Sequence, residues 1–291
     1  MMNRSPFLIF PWQRPFLPDL KAVLEDCSGG RSGSALLIVP HNRPWRYLLQ
    51  LYAKERKPRL LPKVLTLADM VKVWRAGTSD VPLHTANMLD RVALLHGCVQ
   101  NLTEDDAALS ARFARMDMAL FLPWGLRLAA LLEEMLGQGL ETADLAYVEN
   151  EVAAPAAALL GALGRIGRAY LAALNERRWT TPGLDQYMAS RQASHIPPLL
   201  VPGAERPVLV AGFSVLSGTE DVLLRSLWRA GAHICLHTDP ALAGNEPAHW
   251  ACAEHAAWLR RWQARAKPAV GPAPPEAAHQ PPPQTGRSQA A

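Results

Sequence analysis

The sequence predicts an α/β protein built on a parallel sheet, interrupted by a large helical insertion and followed by a disordered tail. Three observations carry this. Short apolar runs closed by proline alternate with helical patterns at both ends of the chain, as in strands buried on both faces. A long middle stretch rich in Ala and Leu carries one helix signal after another. The last residues hold few large apolar side chains, too few to offset ordering entropy.

The elements follow in order. "FLIF" (7–10) and "ALLIV" (35–39) are the first two strands. Between them Leu17, Leu20, Val23 and Leu24 recur at helical spacing, so the order is strand, helix, strand. After Val39, Trp45, Leu48, Leu49 and Tyr52 form an apolar stripe on a helix that must end before Pro58. "KVLT" (63–66) is a possible third strand, and Thr66 with Asp69 predicts a capping box opening a helix to about Trp74.

From about His84 to Ser190 "ANMLDRVALLHGCV", "FLPWGLRLAALLEEML" and "PAAALLGALGRIGRAYLAALNERRW" each place apolar residues on one helical face. "SHIPPLLVPGAERP" (194–207) reads as a linker. The α/β pattern then resumes: "PVLVAGF" is a strand, "GTEDVLLRSLWRAG" a helix closed by glycine, and "AHICLHTD" another strand. The expected organisation is a discontinuous α/β domain over 1–80 and 205–240 and a helical insertion over 81–204. A helical extension over 241–266 and a Pro/Ala-rich tail over 267–291 follow.

At 291 residues and 49% hydrophobic the chain can bury a real core, and a net charge of +4 says little about partners. Four scattered cysteines, 27, 98, 235 and 252, without a CxxC pair suggest a reduced, cytoplasmic chain. The N-terminus has no signal-peptide core, and no apolar run approaches the roughly 20 residues of a membrane helix, so no membrane partner is expected.

Several patterns bear on chemistry. "SGGRSG" precedes its strand, whereas a phosphate loop must follow one, so it reads as a connector. The segment after the first strand, "PWQRPFLPDL", has no glycine and no GK, and its prolines remove donors. "GALGRIG" (161–167) sits inside a helix pattern and suits close helix packing rather than dinucleotide binding. "TEDD" (103–106) reads as a helix-start charge cluster and "LLEEML" (131–136) as a solvated helix face.

His233, Cys235 and His237 alternate on one strand face, and His249, Cys252 and His255 follow at three-residue spacing. Such groups suit zinc, but their spacing matches no standard site, so neither metal nor other cofactor is expected. No catalytic residues are assigned. Segment 41–63 holds seven Lys/Arg and one Glu. On a helix, Arg43, Arg46, Lys54 and Lys57 fall within an arc of roughly 80° opposite the apolar stripe. That face suits either phosphate contacts or simple solvation near a helix end.

Taken in order, "PWQRPFLPDLKAVL", "ALLIVPHNRPWRYLLQLY", "RLLPKVLTLADMV" and "VLVAGFSVLSGTEDVLLRSL" resemble the N-terminal part of AddB-type subunits, PD-(D/E)XK nuclease family proteins of bacterial double-strand break repair. The resemblance covers about residues 5–240. It implies a superfamily 1 helicase-like domain without Walker motifs, handling DNA beside an AddA-type helicase-nuclease subunit. Gly212, Phe213, Leu216, Ser217, Glu220, Leu223, Leu224 and Leu227 stand where an active helicase carries its Asp-Glu pair. Family members are several times longer and carry their nuclease acids and iron–sulfur cysteines in a C-terminal region. Nothing after residue 240 supplies these, so the chain resembles a truncated N-terminal piece, expected to be neither nuclease nor ATPase alone.

Arg43, Arg46, Lys54, Lys57, Arg59 and Lys63 are the expected phosphate contacts on DNA. A protein-binding scaffold without DNA affinity is the alternative. A metal enzyme built on the 233–255 cluster ranks below both.

Overall fold

A computed structural model of the protein describes residues 6–56, 58–77, 83–104, 107–141, 144–145, 152–244 and 248–269. Strands β1 (Phe7–Pro11), β2 (Leu36–Val39) and β3 (Lys63–Thr66) alternate with helices α1 (Phe16–Cys27), α2 (Asn42–Lys54) and α3 (Leu67–Ala76). The capping box predicted at Thr66 forms: its hydroxyl accepts the Asp69 N–H, and the Asp69 carboxylate accepts the Thr66 N–H.

The insertion begins with a short strand, β4 (His84–Thr85), and continues through α4 (Met88–Leu102), α5 (Ala107–Phe113), α6 (Met118–Gly137) and α7 (Ala154–Glu176). It closes at β5 (Trp179–Thr180), which pairs parallel with β4 and clips the two ends together. Periodicity could not foresee a two-residue clip. Helix α8 (Pro182–Arg191) leads back to β6 (Val208–Ala211), α9 (Gly218–Arg229) and β7 (His233–Thr238).

After β7 the chain forms helix α10 (Ala253–Trp262) and a sixth strand, β8 (Ala266–Pro268), beside β1. The sequence predicted a helical extension to 266 here. Ala266, Lys267 and Pro268 carry no strand propensity, and pairing with β1 alone makes them a strand, with proline tolerated at the edge. The disordered tail was expected over 267–291: Lys267 and Pro268 instead belong to β8, and 270–291 lie outside the described residues.

The sheet order is β3-β2-β6-β7-β1-β8, and every pairing is parallel. Alternation along each strand divides the side chains between two cores. Phe7, Ile9, Leu36, Ile38, Val208, Val210, Ile234 and Leu236 face α3, α8, α9 and α10. Leu8, Phe10, Leu37, Val39, Leu209, Ala211 and Cys235 face α1 and α2. Connections toward the β3 edge run over one face and those toward β8 over the other, as right-handed crossovers require.

On the first face, Trp228 and Trp262 set their rings around Phe7 at centroid distances of 5.7 and 5.5 Å. The Trp262 indole N–H donates to Asp221 Oδ1 at 3.0 Å, and Arg261 pairs with the same carboxylate. Helix α10 is thereby fastened to α9.

The insertion has a separate core from α4, α5, α6 and α7, with Val92, Leu95, Phe121, Leu132, Ile166, Tyr170 and Leu174 buried. Burial, and the Glu133 charge beside it, raise the Tyr170 pKa. Gly164 and Gly167 are buried in α7, where small residues let neighbours approach. Residues 156–176 of α7 are long and apolar enough, by length and average composition, to cross a membrane, although no uninterrupted apolar run reaches that length. Arg165 and Arg168 break the continuous apolar run without lowering the average much, and the buried face of α7 belongs to the insertion's core.

Glu133 was expected on a solvated face. It is instead half-buried: its Oε2 accepts the Gly183 N–H at 2.7 Å and lies 3.6 Å from Arg91. In "TEDD", Thr103 and Glu104 precede α5, and Asp105 and Asp106 lie outside the described residues.

The insertion meets the sheet domain at the start of α9. Thr219, almost fully buried, donates its hydroxyl to the Gly137 carbonyl at 2.5 Å and accepts from Gln186 at 2.7 Å. A Cβ on Gly218 would lie 2.2 Å from the Gln138 carbonyl oxygen. We predict that Gly218→Ala destabilises the protein by about 1–3 kcal/mol in urea unfolding, because a backbone atom must move. Gly203→Ala, with open space around its Cβ position, serves as the control that leaves the midpoint unchanged.

Burial disfavours the charged form of two histidines. Burial lowers the His255 pKa, against a hydrogen bond between Nε2 and the Phe213 carbonyl at 3.2 Å. Burial, then the Lys267 charge, lowers that of His233. Both folded values lie below the ordinary 6.5, so the unfolded chain binds more protons in acid. Their contribution is fully present above 6.5 and is lost as pH falls through the lowered values. Unfolding midpoints should therefore drop below pH 6.5, and the paired substitutions His233→Gln and His255→Gln should flatten that slope.

Candidate nucleic-acid interface

In a parallel sheet all strands deliver the chain to one edge, where the following helices begin. At this edge β1 leaves toward one side of the sheet and its neighbour β7 toward the other, and β2 and β6 diverge in the same way. Such switch points open crevices where α/β proteins bind ligands.

The β1 crevice is closed to phosphate. The Trp12 N–H donates to the Thr238 carbonyl at 3.0 Å, and the Arg14 N–H donates to Pro11 at 3.0 Å. The Arg14 carbonyl faces His237 Nε2 at 3.1 Å. Helix α1 starts with Pro15 at its N-cap and Pro18 in its first turn, which removes donors. Asp19 adds a carboxylate there, bound by Arg14. At the end of β6, Ala211, Gly212 and Phe213 supply no carboxylate, and Glu220 is used in a capping box with Ser217.

The turn "SGGRSG" takes its expected place as a connector from α1 to β2. Ser28 caps α1 through the Leu24 carbonyl at 2.7 Å, and Gly29 and Gly30 adopt φ of 57 and 78°, the left-handed region glycine favours.

The α2 surface is different. Leu48 and Tyr52 are buried and Trp45 and Leu49 half-buried, so the predicted apolar stripe faces the sheet. His41 opens the helix, its Nδ1 accepting the Arg43 N–H at 3.3 Å, a cap outside the usual Ser/Thr/Asp/Asn set. His41, Asn42, Arg43, Arg46, Tyr47 and Gln50 line an open groove of ≈ 660 Å³. Arg43 and Arg46 are exposed, and the positive end of the helix lies beside them. Tyr47 is 49% exposed, offering a ring face next to the two guanidinium groups.

The six predicted basic residues divide. Arg43 and Arg46 share the groove. Lys54 is exposed at the last residue of α2, and Lys63 is exposed at the start of β3, at the opposite edge of the sheet from the groove. Lys57 lies outside the described residues. Arg59 sits in a four-charge network: it pairs with Glu25 and, at 2.6 Å, with Glu55, while Lys21 bonds the same two carboxylates. Both cations lie over the Tyr52 ring, at 5.1 and 5.5 Å. Burial opposes the charge of Lys21, but its carboxylate partners outweigh that and raise its pKa.

The Arg59 side chain thus ties the loop before β3 to α1 and α2. Sequence spacing placed it near a basic face with Glu55 four residues before it, but the second partner, Glu25, came from α1. Arg59→Ala should cost ~1 kcal/mol of stability, a loss that shrinks in 1 M salt, because the pairs are partly exposed. An unchanged urea midpoint at low salt would show the network to be idle.

The His/Cys cluster is dispersed. Cys235 is buried, and burial raises its thiol pKa. His237 stacks on Phe16 at 5.1 Å, His249 caps a turn through the Ala251 N–H, and His255 sits against Trp258 on the other face of the sheet. Among the described residues no three His, Cys, Asp or Glu side chains come together as a metal site.

No protein-family model matches the chain. No curated protein matches it either.

Proposed function

We propose that the protein is a non-catalytic, helicase-like module that binds DNA and a partner subunit in double-strand break repair. The observation that carries this is the groove at the start of α2, where Arg43, Arg46 and Tyr47 are exposed together beside a helix N-terminus. Guanidinium groups suit phosphate oxygens, and an adjacent ring suits a base or sugar. Further support comes from a doubly wound parallel sheet, interrupted after α3 by a helical insertion, whose β1 and β6 ends lack phosphate donors and carboxylates. This agrees with the resemblance to inactivated helicase domains of AddB-type subunits. In this proposal the chain works in the cytoplasm beside an AddA-type helicase-nuclease, which supplies the ATPase.

A protein-binding scaffold without DNA affinity is the second reading. It is favoured by Leu89, Leu120 and Leu159, each more than 60% exposed on the insertion's helices.

A salt titration separates the two. Single-stranded DNA should bind at low salt, and Arg43→Ala and Arg46→Ala should each reduce the slope of log K against log salt by about 0.7. Binding absent at low salt, or indifferent to both substitutions, would reject DNA in favour of the scaffold.

A further inference from the structure

The crevice at the ends of β1 and β7 has lost its phosphate donors, yet it is not featureless. Trp12 follows β1 and is 38% exposed, and Trp250 is 81% exposed. His249 lies between them, 5.2 Å from Trp12 and 5.4 Å from Trp250, ring centroid to ring centroid. The three rings form one aromatic arc at the carboxyl edge of the sheet.

The arc is rigidly built. Asp239, the residue after β7, accepts the Ala241 N–H at 2.9 Å through Oδ1 and the His249 N–H at 2.7 Å through Oδ2. Those two bonds hold its pKa below the ordinary carboxylate value. His249 Nδ1 in turn accepts the Ala251 N–H at 3.2 Å, which fixes the turn carrying Trp250. Trp12 is pinned through its own N–H to Thr238. The backbone is therefore organised to hold a large ring out in water, where it contributes almost no burial energy to the fold.

We infer that Trp250, with His249 and Trp12 behind it, is a stacking shelf for an unpaired nucleobase of single-stranded nucleic acid. Every base offers a π-face, and an exposed indole carried on a hydrogen-bonded turn beside the His249 ring presents one to it. The occupant follows from the surroundings. Arg43 and Arg46 lie at the same sheet edge, and β7 and β6 separate β1 from β2, so three strand spacings of about 4.8 Å put roughly 14 Å between the strand ends. A few nucleotides of extended strand cover that distance, with phosphates at the arginines and a base on the shelf. Duplex DNA keeps its bases stacked and offers none to the shelf.

This inference rests on the DNA-binding reading, and the test keeps the two apart. The full chain is titrated with fluorescently labelled oligo(dT), an abasic strand of equal length, and AMP. Trp250→Ala should weaken oligo(dT) binding about 5- to 100-fold, leave abasic binding and the salt slope unchanged, and Trp250→Phe should restore most of the loss. Because Trp250 is exposed, neither variant should change the unfolding midpoint.

If Trp250→Ala binds oligo(dT) like the parent chain, or if oligo(dT) and abasic strands bind equally, the shelf is refuted while the arginine groove stands. AMP binding as tight as oligo(dT) would refute a strand as the occupant and assign the shelf to free nucleotides. No binding of either strand at low salt would overturn the DNA reading and the shelf together.

Discussion

A parallel sheet buried on both faces is the constraint from which the rest of this molecule follows. Its strands cannot be joined by tight turns, so each connection must cross a face, and helices are the economical way to satisfy the backbone of that crossing. Right-handed crossovers then assign α1 and α2 to one face and α3, α8, α9 and α10 to the other. Strand ends and helix starts accumulate at a single edge. The groove on α2, the stitched loop after β1 and the exposed tryptophan all lie there because the topology leaves no other place for them.

At that edge the polar groups after β1 are committed within the protein. The β1–α1 connection spends its polar groups internally, through Trp12 to Thr238, Arg14 to Asp19 and His237 to the Arg14 carbonyl. Prolines at 15 and 18 take away donors at the helix start. The exposed cations Arg43 and Arg46 lie three strands further along, after β2.

Much of this was legible from residue order. Proline-closed apolar runs located β1 and β2, Thr66 and Asp69 gave the α3 cap, and the stripe Trp45, Leu48, Leu49, Tyr52 gave the inward face of α2. Other features were silent. Ala266–Pro268 become a strand only by pairing with β1, and Glu133 looked solvated until Arg91 and the Gly183 N–H surrounded it. Trp12 and Trp250, over two hundred positions apart, converge around His249 because β7 lies beside β1. No local pattern could have joined them.

The sequence by itself determined the α/β class, the α3 cap, the apolar stripe of α2, the absence of a phosphate-loop motif and which residues are cationic. These depend on hydrogen bonds and periodicities that span one element, so neighbours along the chain decide them. The tertiary structure decided which cations are free. Arg59 is paired with Glu25 of α1 and with Glu55 just after α2, while Arg43 and Arg46 remain open to solvent. Charge is a property of a residue, but its availability depends on the partners that folding brings within a few ångströms, and a partner such as Glu25 for Arg59 is distant in sequence.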